Sequence, residues 1–250
     1  MRRAAAAQFK TEITAAGYRL RERRPVIGGI VGTGTHKGTE FTIETYIKTG
    51  NHAKISDCVE IGIESIKSEI ISGTIWDQTT PSKNDAEQQC KQMINAYCVM
   101  IAPNIKPVAV PEKYRQAKIA DDVLFTGSTD IETIENDIRD VKTGYTIKPF
   151  QAQQGGYSLL RKASLKSETN QLILDFLPRT SVKKTFPGPT TVEYNVKLCE
   201  RMAYDVILRI AAAVRKFRKT GSSFAFPCNP MSILCGEKYC TAFGTEFCKL

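Results

Sequence analysis

Apolar residues recur at helical spacing through the first hundred positions. Val59, Ile63, Ile66 and Ile70 stand four, three and four residues apart, so they share one face and predict a helix from Ser56 to Ile71. The same period predicts a helix from about Val31, with His36 and Glu40 on a common face. Another is predicted from about Lys83 to Ile101, carrying Met93, Tyr97 and Met100 and ended by Pro103.

From Lys106 the period shortens. The stretch "KPVAVPEKYRQAKIADDVLFTGSTDIETIENDIRDVKTG" has β-rich runs broken by turn residues and predicts strands in a meander. "IKPFQAQQGGYSLLRKAS" returns to helix, "NQLILDFLP" is a short buried strand, and "TTVEYNVKLCERMAYDVILRIAAAVRKFRK" is a long amphipathic helix ending in a basic cluster. Helices, antiparallel strands, helix, strand, helix is the order of an α/β protein with a mixed central sheet flanked by helices.

The 250 residues are 42% hydrophobic and 24% charged, an ordinary globular composition that predicts one domain over 1–250. The formal net charge of +9 suits a partner that is a polyanion, because Lys and Arg that neutralise phosphates release condensed counterions. Charge alone does not separate nucleic acid from a membrane surface. No run approaches the roughly 18 apolar residues of a membrane span, and the opening "MRRAAAAQFKTE" lacks an export signal's apolar core. Cys58, Cys90, Cys98 and Cys199 lie in apolar or helical segments, unlike a secreted disulfide scaffold. The expectation is a cytoplasmic protein with no membrane partner.

The chemistry concentrates in "GSTDIETIENDIRDVKTG". If the two runs pair symmetrically about Glu135, Asp130 faces Asp140, with β-carbons about 4.5–5.5 Å apart, an arrangement that destabilises a sheet. Asp140 and Lys142 leave their strand on the same face and Val141 on the other. A divalent cation between the carboxylates explains the pairing most simply, since Mg²⁺ takes one or two carboxylates and fills its shell with water and phosphate oxygens. Lys142 beside it could orient an attacking water or stabilise developing charge. The bland alternative is a solvated hairpin with scattered charges.

The succession "GTGTHKGTE" with His36, "GSTD" with Asp130, "DVKTG" with Asp140 and Lys142, and "QQGGY" with Gln153 and Tyr157 resembles the RecB-type branch of the PD-(D/E)XK nucleases, which includes CRISPR-associated and phage exonuclease-like members. At motif level the resemblance spans roughly residues 28–180. It implies a restriction-endonuclease-like fold and a Mg²⁺ or Mn²⁺ site formed by Asp130, Asp140 and the Val141 carbonyl. Lys142 would be the catalytic lysine, His36 a further metal ligand or neighbour, and Gln153 and Tyr157 would position DNA or the catalytic strand. Glu112 stands where some relatives place another acidic residue, though a surface glutamate beside a turn explains it as well. Gln151 and Gln154 flank Gln153, and a shift of one would move the role.

The function implied is a metal-dependent deoxyribonuclease hydrolysing phosphodiesters with metal-activated water, as an exonuclease on single- or double-stranded ends. A flap or other structure-specific endonuclease with the same site, and a nucleic-acid-binding module with a weak site, are the alternatives. A recombination or replication partner protein, a homo-oligomer, and a phage source acting in the host cytoplasm fit the same resemblance. In the tail from about residue 221, Cys228, Cys235, Cys240 and Cys248 could hold an iron–sulfur cluster or zinc. The spacing lacks the close pair of the family's cluster sites, and unliganded cysteines are the simpler reading. Arg19, Arg21, Arg23 and Arg24 at one end, with Arg215, Lys216, Arg218 and Lys219 at the other, could track a phosphate backbone. Phe217, Phe224 and Phe226 are candidate stacking surfaces.

Overall fold

A four-stranded sheet carries the two aspartates. The computed structural model describes residues 6–108, 113–227 and 235–248. The chain runs α1 (Lys10–Ala15), α2 (Ile27–Thr49), α3 (Ile55–Glu69), α4 (Lys83–Met100), β1 (Lys113–Ala120), β2 (Val123–Thr129), β3 (Ile131–Glu132), β4 (Ile138–Gly144), α5 (Gln151–Leu165), β5 (Leu172–Pro178), β6 (Thr190–Tyr194) and α6 (Val196–Thr220). Strand order in the sheet is β3-β4-β5-β6; β4 and β5 are parallel and the outer pairs antiparallel. A parallel pair needs a crossover, which α5 supplies. β1 and β2 form a separate antiparallel ribbon.

Alternation along β4 splits its side chains between two cores. Val141 joins Leu177 of β5, Ile30 and Val31 of α2, Ile66 of α3 and Met93 and Ile94 of α4. Ile138 and Leu172 pack on the other side with Tyr157 of α5, Tyr194 of β6 and Cys199 of α6. The expected α/β class, a mixed sheet with helices on both faces, is therefore what the chain forms. α2 and α3 touch backbone to backbone: a Cβ on Gly34 would lie 2.6 Å from the Gly62 carbonyl oxygen.

Residues 26–205 make one compact unit, and residues 1–25 with 206–250 make another. The second is built around aromatic rings, with Phe217, Phe226 and Phe247 buried alongside Ile13 and Cys240. Tyr18 meets Phe247 edge-on at 5.1 Å between centroids. Phe217 and Phe226 are thus core residues and not stacking surfaces, being 3% and 2% exposed with their ring centroids 5.3 Å apart. Phe224 is exposed.

Two element boundaries differ from expectation. "TTVEY" opens no helix; it is edge strand β6, paired antiparallel with β5 from Thr190↔Phe176 to Tyr194↔Leu172, as its β-branched residues favour. The helix begins only after Asn195, whose side-chain oxygen accepts from the Leu198 N–H at 2.9 Å, a helix cap. α2 starts at Ile27, before the expected Val31. Gly28 leaves room for a buried side chain, since a Cβ there would lie 2.8 Å from the Arg179 guanidinium.

Candidate functional site

The β3–β4 register pairs Ile131 with Arg139 and Glu132 with Ile138. Continued by one residue, it sets Asp130 opposite Asp140, the pairing that symmetry about Glu135 predicts. Asp130 lies just before β3, where its Oδ2 accepts from the Val141 N–H at 3.1 Å. His36 reaches over from α2, with Nδ1 3.8 Å from Asp130 Oδ2.

Asp140 is fully buried. Its Oδ1 accepts from Lys142 Nζ at 2.6 Å, while its Oδ2 has no hydrogen-bond partner among the described residues. Burial, and then the neighbouring Asp130 charge, hold the Asp140 carboxyl well above the usual carboxylate range, with Lys142 pulling the other way. Lys142 Nζ also stands 5.8 Å from the centroid of the Phe150 ring at the start of α5.

On α5 the amide of Gln153 donates to the Tyr157 hydroxyl. Gln153 is exposed, and the Tyr157 ring packs with Ile138 and Leu172. The Val141 side chain is in the core. Glu112 and Cys228 lie outside the described residues. Among the described residues no group of three or more His, Cys, Asp and Glu side chains is arranged to hold a metal. His36, Asp130 and Asp140 are neighbours without forming a closed three-ligand cage. Two adjacent carboxylates, one with an unused buried oxygen, still fit a hard cation that takes only one or two carboxylates.

The remaining candidates fall in the unit of residues 1–25 and 206–250. Arg19, Arg21, Arg23, Arg24, Arg215 and Arg218 all belong to it. Arg21 pairs with Glu237 at 2.5 Å. Arg218 forks onto Glu12 with bonds of 2.9 and 2.8 Å, and its hydrogen bond, against the opposing effect of burial, holds the Glu12 carboxyl below its usual range. Cys240 is buried in the aromatic core, with Cys248 packed against it, and Cys235 is half-buried. No helix among the described residues is long and apolar enough to cross a membrane.

Sequence reasoning missed the buried ion network beside the aspartates. Glu132 accepts two bonds from Arg115 Nη2 at 2.7 and 2.8 Å and one from Thr129 at 2.8 Å, and Arg161 Nε stands 3.4 Å away. Arg161 also donates to Asn136 Oδ1 at 2.6 Å in the β3–β4 turn. Behind β4, Arg139 forks onto the buried Asp175 at 2.9 and 2.8 Å. The available signal was charge on inward positions of a strand, which demands a buried partner.

No family model matches the sequence, and no curated protein matches it. Among solved structures the chain is similar to a protein of Eubacterium rectale described as an exonuclease, at 10% identity over 69% of this chain and 67% of the other, with a TM-score of 0.42. It is also similar to the protein SSO0001, at 12% identity over 80% and 82% of the two chains, with a TM-score of 0.30. Likenesses this distant carry no argument about activity.

Proposed function

We propose that this chain is a Mg²⁺- or Mn²⁺-dependent deoxyribonuclease of restriction-endonuclease-like type, acting as an exonuclease on DNA ends. The observation that supports this reading best is the fully buried Asp140, with Lys142 on one oxygen and, among the described residues, no hydrogen-bond partner on the other, beside a second carboxylate. A pair of like charges out of water destabilises a protein unless something neutralises it. Asp130 and Asp140 would hold the cation, with His36 at its edge. When bound, that ion polarises the phosphate and lowers the pKa of water.

The protein groups have separable tasks. Asp140 Oδ1 holds the Lys142 ammonium at a fixed point, so the positive charge is already in place where negative charge grows on a phosphate. Asp130 is itself anchored by the Val141 N–H, which fixes the orientation of its other oxygen. The hydrogen bond from Gln153 restrains the Tyr157 hydroxyl beside the same strand. A net charge of +9 favours approach by a polyanion.

The test is degradation of end-labelled linear single- and double-stranded DNA beside a covalently closed circle, in Mg²⁺, Mn²⁺ or EDTA, comparing wild type with Lys142→Ala. Metal-dependent loss of linear DNA alone, reduced in the variant, is the expected result. Cutting of the circle would make it an endonuclease with the same site. Absence of any metal-dependent cutting would overturn the nuclease reading and favour a binding module.

A further inference from the structure

The glutamine run of α5 holds a second polar side chain besides the exposed Gln153. Gln154 is fully buried, and neither its Nε2 nor its Oε1 has a hydrogen-bond partner among the described residues. Leaving a buried amide unpaired costs about 1–3 kcal/mol, so an unmet pair of atoms in a helix that packs on the sheet calls for a ligand.

Three contacts locate α5 against β4. α5 runs back along β4: Phe150, at its start, lies under Lys142; Tyr157 packs against Ile138; and Arg161 bonds Asn136 before the strand begins. Residues three, four and seven apart share a helix face, so Gln154 lies on the face of Tyr157, Ser158 and Arg161. It stands midway between Phe150 and Tyr157, as Asp140 stands midway between Lys142 and Ile138 on the same face of β4. By this register Gln154 is level with Asp140, whose Oδ2 likewise has no hydrogen-bond partner among the described residues. The two are not directly bonded. Together they offer one donor group and two acceptors, the two to four polar partners that a buried water requires.

We propose that Gln154 is a positioning residue of the carboxylate site, its amide bridged to Asp140 Oδ2 by a buried water that fixes the orientation of that carboxylate. This rests on the nuclease reading for its kinetic consequence but not for the water itself. The exposed Gln153, bonded to Tyr157, has no such geometry toward Asp140. The Gln154 amide would orient Asp140 as an outer hydrogen-bond partner orients a ligand, an interaction whose loss weakens metal affinity or activity by about 10–100-fold.

Gln154→Leu and Gln154→Asn should be compared with wild type by Mn²⁺ calorimetry, by kcat and KM on linear DNA, and by a crystal structure of the metal-free protein. The expected result is ordered water within hydrogen-bond distance of Gln154 and Asp140, and a Gln154→Leu variant that melts no lower than wild type yet loses 10- to 100-fold in Mn²⁺ affinity and kcat with KM little changed. Gln154→Asn, which keeps an amide, should recover part of that loss; if Gln154→Leu fails to fold, this variant and the crystal structure decide. A Gln154→Leu protein that binds Mn²⁺ and cuts like wild type, or a site with no water, would overturn the inference while leaving the nuclease reading intact. A wild type that neither binds Mn²⁺ nor cuts, yet shows the bridging water, would overturn the nuclease reading instead.

Discussion

Lys142 Nζ lies 2.6 Å from Asp140 Oδ1, and both residues leave the same face of β4. The lysine neutralises one side of a carboxylate that burial and Asp130 both disfavour. In the absence of metal the site should therefore be a source of instability. Asp140→Asn removes the charge and keeps the shape, and its amide can donate to Asp130. By calorimetry in EDTA the variant should melt about 2–4 °C higher, the shift that about 1 kcal/mol gives a protein of this size. Its metal-dependent cutting should fall by at least about 10²-fold. A lower melting temperature in EDTA would mean that Asp140 is satisfied by its protein neighbours.

Acid should act on another pair. Arg179 Nη2 donates to Asp77 at 2.9 Å, and the Arg179 guanidinium stacks 4.3 Å from the Tyr145 ring centroid. Burial pushes the Asp77 carboxyl up, but the hydrogen bonds from Arg179 and Tyr145 and the Arg179 charge outweigh it, leaving it below its usual value of 3.8. A carboxylate with a depressed folded-state pKa contributes stability that is present above its unfolded pKa and lost as pH falls through the folded one. Urea melts between pH 6 and pH 2 should show this loss below about pH 4. Asp77→Asn should be less stable at pH 6 and lose less on acidification; an unchanged slope would exclude Asp77 as its source.

The site's local geometry was legible because it is local. The β3–β4 register follows from matching runs on either side of Glu135, and the shared face of Asp140 and Lys142 follows from strand alternation. The amphipathic helices α3 and α4 lie within two residues of their expected bounds. What escaped was set by distant partners. "TTVEY" is a strand because β5 offers it an open edge, and Gln154 could be told from Gln153 only once α5 was laid against β4. Phe217 and Phe226 read as surface aromatics until rings from both chain ends enclosed them.

Glu132 is the clearest case of a residue whose importance comes from distant partners. It is almost fully buried and meets Arg115 from β1 and Arg161 from α5. Removing one member of such a group leaves buried charge uncompensated, at a cost of about 3–5 kcal/mol. Glu132→Ala should therefore unfold at much lower denaturant, measured by circular dichroism. Glu132→Gln, which retains acceptor geometry for one guanidinium, should lose less. Equal, small losses would indicate that the two arginines rehydrate.

Adjacent glycines on α5 should respond very differently to a single methyl group. A Cβ on Gly155 would stand 1.9 Å from the Cys199 carbonyl oxygen and 2.6 Å from the Glu200 amide nitrogen. Those are backbone atoms of α6, so relief requires moving one helix off the other, and with it Tyr157 and Gln154 relative to β4. A Cβ on Gly156 would meet only the far edge of the Phe125 ring, at 3.0 Å, and a ring at a half-buried ribbon position can turn. Alanine favours a helix over glycine by about 1 kcal/mol, which partly offsets that contact. Gly156→Ala should melt within a few degrees of wild type and keep its cutting activity. Gly155→Ala should lose more than the roughly 1–3 kcal/mol typical of overpacking, with kcat falling in the fraction that still folds. If Gly155→Ala is as stable and active as Gly156→Ala, α5 and α6 can separate without disturbing Asp140, and the close helix contact is not what holds α5 against the site.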